Sequence, residues 1–120
     1  MKFKEIASIL SRGGVTPIEQ VDITGNMNVE EKLSEISKSM PTGSMYVKRI
    51  RTIDLTTADP HLGQKVWFMI GFQHTPSIDN DYGYGLQIFF SYIGNDILIR
   101  RHISNPDRVT WVKFQGTVMS

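Results

Sequence analysis

The chain is predicted to fold as α+β, with two short N-terminal helices followed by an antiparallel β-sandwich or strongly curved sheet of at least five strands. Three observations predict it. Residues 84–114 hold three alternating apolar runs separated by two turn clusters, a meander that carries a hydrophobic face of its own. Residues 66–73 are the most continuously apolar stretch and read as a central strand buried on both faces. Upstream, apolar residues recur at helical spacing in two short segments. At 120 residues the length suits one domain. The expected division is 1–27 as N-terminal helix and linker and 28–120 as a single α+β domain, its helix over 28–40.

The first helix is expected over 3–12, where Phe3, Ile6, Ala7 and Leu10 share a face and Gly13-Gly14 stops it. Residues 15–26 are turn-rich and read as extended linker, with a short edge strand at 20–23. In the second helix Asn28 can cap, Glu31 stands three residues on as capping-box partner, and Pro41 and Gly43 end the helix. Its apolar positions, Val29, Leu33, Ile36 and Met40, step by four, three and four. Such a stripe either joins copies of the chain as a self-association seam or packs across the open face of a sheet.

Residues 44–55 alternate imperfectly and carry Lys48, Arg49 and Arg51, which suits an edge strand protected by charge. Residues 56–64 and 74–83 are loops, and Gly71 within the apolar run signals a bulge or a close backbone approach. Strands follow at 84–92, 96–102 and 109–114, the first two joined through Ile93-Gly94-Asn95-Asp96. By parity Tyr84, Leu86, Ile88, Phe90 and Tyr92 form a core stripe.

Composition narrows function mainly by exclusion. The formal net charge is +1 with no basic stripe, so neither a nucleic-acid nor a membrane partner is expected. The N-terminal residues do not read as a signal peptide, and no apolar run approaches the roughly 20 residues of a membrane span. With no cysteine there is no disulfide scaffold, thiolate metal site or cysteine nucleophile. His61, His74 and His102 lack metal-ligand spacing, and a site would need carboxylates to complete it, so no metal or cofactor is expected. There is no Gly-x-Ser-x-Gly elbow or evident acid/base pair of carboxylates, which points away from an enzyme. Asp79-Asn80-Asp81 resembles the start of a calcium loop but lacks its spacing and distant glutamate. Asp79, Asp81 and the adjoining Tyr82 are retained as a surface-loop ligand-binding candidate.

From Met40 onward the order of signals resembles the small C-terminal β-domains of tailed-phage tail fibres, baseplate receptor-binding proteins and tailocin knob domains. The residues concerned are Met40-Pro41-Thr42-Gly43, Tyr84-Gly85 leading into Leu86-Gln87-Ile88, Ile97-Leu98-Ile99-Arg100, and Trp111-Val112-Lys113-Phe114. The chain departs from such domains in lacking a long fibre region upstream and a second tryptophan near Trp111. Its size looks more like a tail-tip or baseplate accessory protein of a siphophage of Gram-positive hosts such as Bacillus, similar to the sandwich module of lactococcal phage receptor-binding proteins.

The resemblance implies a non-enzymatic structural or receptor-binding role in tail assembly or host adsorption. The protein would be made in the host cytoplasm and carried in the virion tail. Its implied partners are other phage tail proteins and a host cell-surface saccharide or protein, and the implied assembly is a homo-oligomer, a trimer by family likeness. Gln87, Arg100 and Trp111 are implied to be fold-forming positions, and no catalytic residue transfers. The alternatives from other classes are a cell-wall-active enzyme subunit and a small host-directed regulatory protein outside the virion.

Overall fold

The computed structural model describes residues 17–76, 83–104 and 107–119. The helix expected over 3–12 lies outside them. Within them the chain runs β1 (Gln20–Gly25), α1 (Val29–Lys38), β2 (Met45–Leu55), β3 (Val66–Pro76), β4 (Gly83–Ser91), β5 (Asp96–Ser104) and β6 (Asp107–Gln115). All six strands belong to one sheet in the order β1-β2-β3-β4-β5-β6.

This corrects the expected α+β fold with a β-sandwich or strongly curved sheet: the described residues are mostly β, one sheet with one helix, and of that expectation the count of at least five strands fits in part. The cause is topological. Each strand from β3 to β6 pairs antiparallel with the one before it, so the meander never sends a strand back to build a second layer. The one departure is β1, which pairs parallel with β2 and must therefore be joined to it by a crossover, here α1. The sheet thus takes in residues 20–25, which the division at 27/28 assigned to the linker.

α1 forms where the sequence marks it. The Asn28 side chain accepts the Glu31 backbone N–H at 2.9 Å, Glu30 and Glu31 sit at the positive end of the helix dipole, and Lys38 lies in the last turn. Ser39 closes the C-terminus by donating its backbone N–H to Glu35. Val29, Leu33 and Ile36 are buried against the sheet with Ile23, Ile50, Trp67, Met69, Phe89 and Leu98, while Met40 packs at the margin of that core. Burying three such side chains contributes about 5 kcal/mol, far more than a ten-residue helix gains from its own propensity.

The lysine and arginines of β2 do not guard an edge. Lys48 donates to Glu19 at 3.1 Å and Arg51 to Asp22 at 2.8 Å, so these cations face acids carried by the β1 segment. Asp54, at φ 49°, is the extra residue that lets Gly25 pair with Leu55 after Thr24 has paired with Ile53. At Gly71 the expected close approach is made by the Tyr46 ring, which lies where a Cβ would stand. Loop 56–65 is part of the core through Leu62, which is fully buried and accepts the Trp67 indole N–H at 3.0 Å.

Candidate functional site

Successive side chains of a strand point to opposite faces, and the register turns the two parities of this sheet into two different surfaces. The helix face carries Tyr46, Ile50, Trp67, Met69, Gln73, Gln87, Phe89, Leu98, Arg100 and His102, all buried. The opposite face aligns Val47, Ile70, Ile88, Ile99 and Val112 in one cross-strand row. Rows on either side place Arg49, Phe68, Phe90, Ile97 and Phe114 together, and Met45, Phe72, Leu86, Arg101 and Thr110 together. Among the described residues nothing covers this second face: Phe90 is 37% exposed, Phe114 53% and Met45 65%.

The covered face is the more polar of the two. Arg100, 1% exposed, donates from Nε to Glu30 Oε2 at 2.9 Å, from Nη1 to Gln87 Oε1 at 3.1 Å, and from Nη2 to Ser34 Oγ at 2.7 Å and the Glu30 carbonyl at 3.2 Å. Gln87 in turn donates to the Leu33 carbonyl at 2.9 Å and to Tyr46 Oη at 3.0 Å. Trp111 Nε1 donates to Glu30 Oε1 at 2.7 Å, and Ser37 to Gln73 at 2.7 Å. A buried guanidinium is tolerable only with such complete pairing. The network therefore fixes how α1 sits on the sheet.

One constellation beside it has the composition of a cation site. Single ligand atoms of Glu30, Asp59 and His61 all lie within 4.8 Å of one another. Asp59 Oδ2 accepts the backbone N–H groups of His61 and Leu62 at 2.9 and 2.7 Å, and the His61 ring stacks on Trp111 at 4.4 Å. Both Glu30 oxygens, however, already accept from Arg100 and Trp111, and the guanidinium neutralises the carboxylate. A tetrahedral ion would draw its ligands to roughly 3.4 Å apart. The group is better described as a clasp that ties loop 56–65 to α1 and β6. The neighbouring cavity, about 160 Å³ and lined by His61, Asp96, Leu98, Trp111 and Lys113 among others, is below the ~300 Å³ of ordinary small-molecule sites.

Of the residues singled out from sequence, Asp79, Asp81 and Tyr82 lie outside the described residues. Val29, Leu33 and Ile36 are buried within one chain, and Met40 is partly so. His61 is exposed in the clasp, and His102 is buried on the helix face. Gln87, Arg100 and Trp111 meet in a single network around Glu30. Two expectations change. Among the described residues β3 is covered on one face only, and the stripe of Leu86, Ile88, Phe90 and Tyr92 lies on the open face, while Gln87 and Phe89 turn to the core. The alternate parity carries Gln87 and Arg100, cross-strand partners whose hydrogen bonds are completed by α1.

In comparisons with known proteins, no family model matches the chain, and neither a curated protein nor a solved structure does.

Proposed function

We propose that this chain is a non-enzymatic assembly component, working through the open face of its sheet. The observation that carries the reading is the contrast between the faces: the covered one holds a buried arginine and two glutamines, while the uncovered one presents an almost wholly apolar central field. Apolar patches of this extent mark protein contact sites on soluble domains. The resemblance noted above supplies the setting, a phage tail tip or baseplate, with other tail proteins or a host-surface saccharide or protein as partners. Two measurements test the reading. Mass spectrometry of purified particles should find the chain, and Phe90→Glu, which places a charge on the open face, should remove it from them. Absence of the wild-type chain from particles, or normal incorporation of the variant, would overturn the proposal.

A further inference from the structure

We infer that the open face pairs with the open face of a second copy of this chain, the two sheets stacking as the layers of one shared core. The inference rests on the reading that this face is an assembly surface, and it names the occupant. Area favours a copy over a shorter segment. Met45, Phe72, Phe90, Tyr92 and Phe114, 37–65% exposed, hold on the order of 500 Å² of accessible surface at 150–250 Å² per large side chain. The half-buried residues between them bring the face towards the ~800 Å² that one partner contributes to a stable complex. A single helix, about 10 Å wide, would cover roughly two of the five strands at a spacing of about 4.8 Å.

The pattern is also self-complementary. The central row from Val47 to Val112 is free of charge, and Arg49 and Arg101 stand in the outer rows. A two-fold axis lying in the interface near Ile88, at the middle of β2–β6, sets the apolar row against itself. Sheets of equal twist stack about 10 Å apart with their strands within about 30° of each other. A net charge of +1 sets up little repulsion between copies. Arg49 borders the apolar field, its guanidinium 5.7 Å from the centroids of both the Phe68 and Tyr92 rings.

Sedimentation velocity of the full chain, from low micromolar to near-millimolar concentration, should give twice the 13.7 kDa chain mass. The chain has no cysteine, so single cysteines report without background. Ile88→Cys should crosslink to itself through a short bis-maleimide, and Glu35→Cys, on the solvent side of α1, should not. Ile88→Lys should sediment as a monomer with wild-type circular dichroism; should it fail to fold, Phe114→Glu, at a more exposed position, makes the same test. Wild-type protein at one or three times the chain mass overturns the inference, as does an Ile88→Cys variant that resists crosslinking. A wild-type monomer whose Phe90→Glu variant is lost from particles removes the pairing and leaves the assembly role standing. A pair that never enters particles does the reverse.

Discussion

Arg100 is the residue whose environment most constrains the fold, because a guanidinium 1% exposed must be matched by charge and acceptors at every nitrogen. Glu30→Ala removes its carboxylate partner and leaves Ser34, Gln87 and a carbonyl, none of them charged. Urea unfolding should show a loss of about 3 kcal/mol, and Arg100→Met combined with Glu30→Gln should recover most of it. Trp67, 1% exposed and bonded to the Leu62 carbonyl, should cost about 3–5 kcal/mol when replaced by alanine. Its burial was readable from the apolar run around it. The role of Arg100 was not, because its partners lie on a helix 66 and 70 residues away and no local pattern records such a distance. The Glu30–Asp59–His61 clasp is held by hydrogen bonds and stacking, so EDTA should leave the melting temperature unchanged; a fall of several degrees would show a bound metal, with these three residues or Asp79 and Asp81 as the ligands to test.

Among the elements, the β2–β6 ladder and α1 were legible, since period-2 alternation, a Gly-Asn turn and an Asn cap are local signals. β1 was only half legible. A short polar strand gains its place from the crossover and from ion pairs with β2, and neither has a sequence period. Those pairs give it a pH dependence. The Asp22 carboxyl is held below the usual value chiefly by its hydrogen bond from Arg51, with Gln20 adding to it. A depressed folded-state pKa means that the contribution is present above the unfolded value of about 4 and is lost as pH falls through the folded one. Hydrogen exchange at the β1 amides should therefore rise, relative to that of β4, as the solution is taken below about pH 4. In Arg51→Gln this acid-dependent step should disappear; an unchanged step would mean that the pair does not hold the edge.

At the scale of the whole molecule, the described residues form a six-stranded sheet with one helix on one face, and a sheet with two apolar faces needs both covered. The apolar run of β3 was read as buried on both faces, and among the described residues one of them is covered. A single chain's pattern does not tell whether a second cover comes from the same chain or another, which is why a sandwich or strongly curved sheet was expected where the described residues form one sheet. The most direct test is methyl relaxation by a soluble paramagnetic agent, comparing Ile70, Ile88, Ile97 and Ile99 on the open face with the buried Ile23, Ile36 and Ile50. At concentrations where the wild type is assembled, the open-face methyls should be as protected as the buried ones, and in Phe114→Glu they should relax strongly. Strong relaxation of Ile88 and Ile99 in the wild type at every concentration would contradict a face covered by a second copy.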